Sequence, residues 1–168
     1  MQVTASNPEP VKVNFSDHMR TAVGALKNWA IAQVQDSFAV GVLWLIGLNV
    51  VGVPWAPVWA SLAAILQIVP HFGPILGMIG PVLAATIAWR DWEHPLSVLA
   101  LYAVIVVIDG LWLQPYIMRR TAKVPIWASI LVPIVLGIVW PFWGVFVAPP
   151  LLAVVYAYKA RLEKEWFG

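Results

Sequence analysis

The feature that most limits the fold of this chain is an uncharged run: positions 37 to 89 contain no Asp, Glu, Lys or Arg. Across the whole chain, hydrophobic residues make up 61% and charged residues 11%, whereas soluble domains carry about 25% charged residues. The mean hydropathy is +0.82. Helices satisfy their own backbone hydrogen bonds in lipid, so the sequence predicts an all-α, polytopic membrane protein.

The uncharged run is interrupted near its middle, in the stretch 67–74, by two prolines, a glycine and a histidine. Proline removes a backbone donor, so helix is expected to stop on both sides of the interruption. Backbone groups freed in this way need cover from protein or from a water-filled cavity. A broken span with a titratable His71 is therefore a candidate site for a transported species; the alternative is a tight turn that places His71 at the water interface. The predicted helix-break motif consists of Pro70, Gly73 and Pro74, together with Pro115 further along the chain.

Four parts are predicted along the chain. Residues 1–15 are polar and are expected to be disordered. Residues 16–36 carry apolar side chains at helical spacing and predict an amphipathic helix on the membrane surface; the alternative is a helix that packs on other parts of a larger protein. Residues 37–158 predict a transmembrane domain of about five to six spans or half-spans, arranged as short, Pro/Gly-broken helices and helical hairpins. Residues 159–168 form a tail of mixed charge.

Basic residues near the ends of the spans predict the orientation, because they remain on the cytoplasmic side. By this rule both termini and the loop 119–123 are cytoplasmic, and the loop around Arg90 faces out. The basic residues that support this assignment are Lys12, Arg20, Lys27, Arg119, Arg120, Lys123, Lys159, Arg161 and Lys164.

Asp109 is the acid that falls inside a predicted span, Leu96 to Met118. An aspartate at the centre of a membrane helix costs about 2.5 to 3.5 kcal/mol on insertion scales, so its presence requires a reason. One reason is transport, since a buried carboxyl group can take up a proton or a cation and return it. The other is structural: the span could break at Asp109-Gly110, with the side chain capping the half that begins at Leu111.

Three further polar residues are candidates for coupling or for lining a path. The ring of His71 titrates near neutral pH and could share a relay with Asp109. Gln67 and Gln114 could line a path or hold helices together through hydrogen bonds. The three histidines are far apart and there is no cysteine, so no metal, cofactor or enzyme site is predicted. The basic residues are scattered, which argues against nucleic acid as a partner.

Three ordered blocks resemble the C-terminal half of the autoinducer-2 exporter family, the PerM-like bacterial membrane proteins. The first block, 69–77, resembles the family's aliphatic-Pro-x-x-Gly-Pro signature. The second, 108–115 continuing to 124–125, has the family's acid followed by a proline and a basic loop. The third, 144–154, has Ala148 where the family usually has glycine.

The resemblance implies a multi-pass transporter of the bacterial inner membrane that exports a small signalling molecule or exchanges cations for protons. It also implies a homo-oligomer embedded in the lipid bilayer. Family members are longer and have further N-terminal spans, so the alternative is a non-transporting membrane subunit or scaffold, or a truncated fragment that needs partner chains. For a transporter, Asp109, His71, Gln67 and Gln114 are the predicted transport or coupling residues; for a non-transporting subunit, Asp109 would serve assembly.

Overall fold

A computed structural model describes residues 15–69, 72–141 and 143–167, with no strand in these ranges. Pro70, His71 and the N-terminal residues 1–14 lie outside the described residues. The predictions made for these residues stay predictions. The described helices are α1 (Phe15–Val51), α2 (Ala56–Gln67), α3 (Phe72–Trp89), α4 (Glu93–Ile108), a π-helical segment (Asp109–Leu113), α5 (Gln114–Thr121), α6 (Ile126–Val139) and α7 (Trp143–Phe167).

Four described helical stretches are long and apolar enough to cross a membrane: Ser16–Val51, Phe72–Trp89, Glu93–Arg120 and Trp143–Glu163. The third stretch runs without interruption through α4, the π-helical segment and α5. Two shorter apolar helices, α2 and α6, complete the bundle. The prediction of an all-α, polytopic membrane protein with short broken helices is confirmed. The position of residues 16–36 at the membrane surface stays a prediction. In the structure this segment and the span that follows it form one helix, α1.

Helix α1 ends where the sequence supplies a glycine followed closely by a proline. Gly52 adopts a left-handed backbone with φ of 85°, and the N–H groups of Gly52 and Val53 both donate to the carbonyl of Leu48, at 3.0 and 2.9 Å. This is the usual glycine termination of an α-helix, and Pro54 cannot continue the helix. The chain then reverses into α2, which begins with a proline in its first turn.

Both predicted hairpins are present in the structure. Helices α2 and α3 pack closely because α3 carries glycines on its inner face: a β-carbon at Gly77 would lie 3.1 Å from Cβ of Ala63. A β-carbon at Gly73 would lie 2.5 Å from Cα of Gln67, at the end of α2. The second hairpin joins α6 to α7 through a break at Trp140-Pro141.

Helix α1 packs against α2, α4, α5 and α7, and it divides the apolar core into two halves. Its C-terminal half contributes Val40, Trp44 and Leu48 to a cluster with α2, α3 and α4. Its N-terminal half contributes Ala32 to a second cluster with α5, α6 and α7. Between Ala32 and Val40, the side chains that α1 buries are polar. The site therefore lies at the boundary between the two apolar halves.

Candidate functional site

Asp109 is buried at the start of the π-helical segment, with 7% of its surface exposed. The irregular turn has a local cause, because Pro115 has no N–H to donate to the carbonyl of Leu111, and the regular hydrogen-bond ladder is interrupted there. Wider π turns inside α-helices often occur at functional sites. The proline break predicted at Pro115 thus takes the form of a widened turn within a continuous helix.

The capping role considered for Asp109 is wrong. The helix runs without interruption through Asp109-Gly110, and Oδ1 of Asp109 has no hydrogen-bond partner. Asp109 itself directs its carboxyl group across the bundle, where Oδ2 accepts a hydrogen bond of 2.9 Å from Nε2 of Gln67. The carboxyl group therefore connects two helices and does not satisfy the backbone of its own helix.

Gln67 is the last residue of α2 and is 2% exposed. Its amide nitrogen donates to two acids at once: to Oδ2 of Asp109 at 2.9 Å and to Oδ2 of Asp36 at 3.2 Å. Its backbone carbonyl accepts a bond of 2.8 Å from Nε2 of Gln33. The close approach of Gly73 brings the start of α3 against this residue and fixes the end of α2. Gln67 thus joins residues from α1, α2 and the π-helical segment.

Asp36, which sequence reasoning did not select, is the second acid of the site. It lies on α1, one turn after Gln33, and is 2% exposed. The signal for it was present in the periodicity of α1: the buried positions 25, 32, 33, 36, 37, 40, 41, 44 and 48 form one stripe at helical spacing. We call Asp36 and Asp109 the carboxyl pair. Together with Gln33 and Gln67 they form the polar cluster.

The carboxyl pair has unused hydrogen-bonding capacity. Oδ1 of Asp36, Oδ1 of Asp109 and Oε1 of Gln67 are buried without a hydrogen-bond partner. Both Oδ2 atoms accept from the same nitrogen, Nε2 of Gln67, which holds the two carboxyl groups near each other. Two carboxylates that share a buried site cannot both remain charged without compensation. The arrangement is suited to holding one proton or one small cation between them.

The other predicted site residues fall in three places. Gln114 opens α5 and is half-buried, and it lines a narrow gap between α1 and α5 together with Gln33 and Asp36. Gly73 and Pro74 lie in the first turn of α3, beside the end of α2. His71 and Pro70 lie outside the described residues, so the relay between His71 and Asp109 stays a prediction. Within the described ranges, no three His, Cys, Asp or Glu side chains are grouped as metal ligands would be.

A bundle of membrane-length helices around an acidic pair defines the class of this molecule: it is a polytopic α-helical membrane protein with ionisable groups in its interior. The model of the AI-2E family transporter matches residues 1–164. The chain belongs to this family, as the three sequence blocks suggested, and is thus a multi-pass membrane protein of a transporter family.

Two relatives match part of the chain. YueF of Bacillus subtilis (strain 168) is 31% identical over 130 residues, which cover 74% of this chain and 33% of YueF. The AI-2 transport protein TqsA of Escherichia coli (strain K12) is 28% identical over 102 residues, which cover 61% of this chain and 29% of TqsA. The chain therefore spans about a third of the length of each relative. No solved structure matches it.

Proposed function

We propose that this chain is a membrane transporter in which the carboxyl pair takes up and releases the coupling ion. The proposal rests on one observation: the amide group of Gln67, on α2, donates hydrogen bonds to two buried acids, Asp36 on α1 and Asp109 in the π-helical segment. Buried acids are costly in a membrane, and the three oxygen atoms without partners leave the cost only partly offset. A site that gains stability by binding a proton or cation explains why these residues lie where they do.

The transported species is proposed from the family and from the relative TqsA, an AI-2 transport protein. In one form, a small signalling molecule moves outward while the pair exchanges protons. In the other form, cations exchange for protons at the pair itself. Both forms require that one carboxyl group changes its bound ion during the cycle, and both place Gln67 as the residue that holds the pair together.

The setting of the transporter is also proposed. The balance of basic residues supports a bacterial inner membrane orientation with both termini in the cytoplasm. Large apolar side chains cover much of the outside of the bundle, among them Ile134, Ile138 and Val139 on α6. These surfaces fit the lipid bilayer or further copies of the chain, and a homo-oligomer is the assembly we propose.

The experiment compares Asp109→Asn and Asp36→Asn with the unaltered chain in liposomes. Proton movement is followed with a trapped pH dye after a sodium or potassium gradient is imposed, and export of AI-2 is followed in parallel. Each substitution removes one ionisable group while preserving its shape, so flux should fall at least a hundredfold. Glu163→Gln is the control, because Glu163 is an exposed acid at the end of a candidate span. Normal flux in the Asp109→Asn protein would remove the pair from the mechanism.

A non-transporting subunit is the second candidate function, and the bridging role of Gln67 favours it in one respect. An amide that connects three elements through buried acids is also what an assembly contact requires. In that case Asp109→Asn would disrupt oligomers that resist detergent, and the unaltered chain would show no flux in liposomes. Intact oligomers together with lost flux would reject this candidate.

A further inference from the structure

The structure contains a crevice among α5, α6 and α7 that the site itself does not use. Its walls include Gln114, Met118 and Val124, followed by Ser129, Pro133 and Pro149. It begins at Val124, beside the basic loop, and extends to Pro133, which lies roughly 10 Å along α6 from its first residue, Ile126. The free space within it is about 10 Å³, close to what one water molecule requires. We call it the α5–α7 crevice.

Two of the helices that form this crevice, α6 and α7, each contribute an internal proline to its wall. Proline inside a helix leaves the carbonyl four residues earlier without its backbone donor, so Pro133 frees the carbonyl of Ser129. Pro149, on the facing helix α7, frees the carbonyl of Val145 in the same way. Within a membrane, freed carbonyl groups are tolerated where a cavity or protein covers them. Two prolines from different helices that line one crevice therefore favour water inside it.

The crevice meets the polar cluster at Gln114. The gap between α1 and α5 is lined by Gln33, Asp36, Gln114 and Met118, and it is too narrow for a water molecule as it stands. Gln114 and Met118 line both spaces, and both side chains are long and flexible. A rotation of these two side chains would connect the crevice with the unpartnered oxygen of Asp36.

We propose that the α5–α7 crevice is the route by which water and small monovalent cations reach the carboxyl pair from the side of the basic loop, with Gln114 as the gate. The inference rests on the proposed function, since it supplies access to the same pair. Wider grooves lie along α1 and α2, but their walls contain Ser61 and otherwise only apolar side chains or glycine. Such grooves fit lipid chains. The α5–α7 crevice is smaller, but its wall contains two polar side chains, Gln114 and Ser129, which offer a charged species hydrogen-bonding partners.

Silver-ion access to introduced thiols tests the route, because the chain has no cysteine. Ser129→Cys places a thiol in the crevice, and Ser61→Cys is a matched control in the wider, apolar groove. Both serines donate to a proline carbonyl four residues earlier, at 3.3 and 2.8 Å. Ag⁺ displaces the thiol proton and forms a sulfur–silver bond. It is applied in chloride-free buffer to vesicles of each orientation, and the thiols that remain are counted by alkylation after denaturation.

We expect Ser129→Cys to react at least tenfold faster than Ser61→Cys, and only from the side on which a Lys123→Cys marker is labelled by an impermeant maleimide. Equal rates, or a faster reaction at position 61, would overturn the route. The gate is tested with Ser37→Cys, a buried position next to Asp36. Adding Gln114→Leu should slow its reaction at least threefold, and an unchanged rate would overturn the role of Gln114. Thiol reactivity does not require transport, so these results stand apart from the flux measurements on Asp109→Asn.

Discussion

Replacing Asp109 by asparagine should stabilise the folded protein while it abolishes transport. The carboxyl group of Asp109 is buried beside that of Asp36, and the two share one donor, Nε2 of Gln67. The asparagine carbonyl can still accept from Gln67, and its amide can donate to the remaining acid. At a pH at which neither carboxyl group holds a proton, the substitution thus removes a buried charge and a repulsion, and it preserves the shape of the site.

The change in unfolding free energy caused by Asp109→Asn is the difference between two opposing contributions. A buried aspartate costs about 2.5 to 3.5 kcal/mol on membrane insertion scales. Its hydrogen bond to Gln67 weakens from about 1.5–3 kcal/mol to about 0.5–1.5 kcal/mol when the acceptor becomes neutral, a loss of about 1 to 1.5 kcal/mol. The difference favours the variant by about 1 to 2.5 kcal/mol. At about 2 to 4 °C per kcal/mol for a chain of this size, the melting temperature should rise by about 2 to 10 °C.

Thermal unfolding in detergent, followed by circular dichroism, measures this shift. Asp36→Asn should raise the melting temperature as well, and the double variant should gain less than the sum, because either substitution relieves the same repulsion. Glu163→Gln, an exposed acid whose oxygen lies 3.9 Å from Lys159, should change stability by less than about 0.5 kcal/mol. A fall in melting temperature for Asp109→Asn, or strictly additive gains, would refute the view that the pair is held at a cost.

Three further predictions concern Gln67, the packing of glycines on the helices, and the contact between Asp91 and His94. Gln67→Leu leaves both carboxyl groups without their donor and should destabilise the protein by about 2 to 6 kcal/mol, measured by the same thermal assay. If the loss of stability were smaller than that caused by substituting an exposed residue, the bridging role of Gln67 would be contradicted. Gly77→Leu should force α2 and α3 apart at a cost of about 1 to 3 kcal/mol, whereas Gly24→Ala, with nothing within 4 Å of its β-carbon, should be neutral or slightly stabilising. Asp91 accepts hydrogen bonds from the backbone N–H of His94 at 3.1 Å and from its ring at 2.8 Å, and these contacts lower the pKa of Asp91. The stability that these contacts contribute is therefore present above the ordinary pKa of aspartate and is lost as the pH falls through the lowered pKa. His94→Ala should move the pKa of Asp91, measured by NMR, part of the way back toward its ordinary value. An unchanged pKa would contradict the role given to His94.

The sequence was sufficient for the architecture because composition and proline placement act locally. The glycine end of α1, the break at Trp140-Pro141 and the disturbance before Pro115 all follow from rules that concern a few neighbouring residues. Asp109 could be selected in the same way, since an acid within an apolar span is unusual at any depth. Gln67 was among the candidates because an uncharged polar residue in an apolar helix can line a path or hold helices together.

Asp36 was not identified from the sequence because its neighbours in the sequence are often polar. It lies at the end of the segment 16–36, where an acid is expected on the exposed face of a surface helix. The structure continues that segment as α1 and turns Asp36 inward, whereas apolar residues such as Val23 and Val34 remain exposed. The meeting of Asp36 with Asp109 depends on how α1 crosses the end of α2, and sequence spacing does not fix such a crossing.

The π-helical segment also sets the angular register of the helix that follows it. Each residue turns an α-helix by about 100°, so a single additional residue in one turn swings every later side chain around the axis by about that angle. Without that additional residue, Gln114 and Met118 would point in another direction, and α5 would present a different set of side chains to α1. One widened turn thereby allows a single continuous helix to aim an acid at α2 and an amide at α1, which an evenly wound helix of the same sequence could not do.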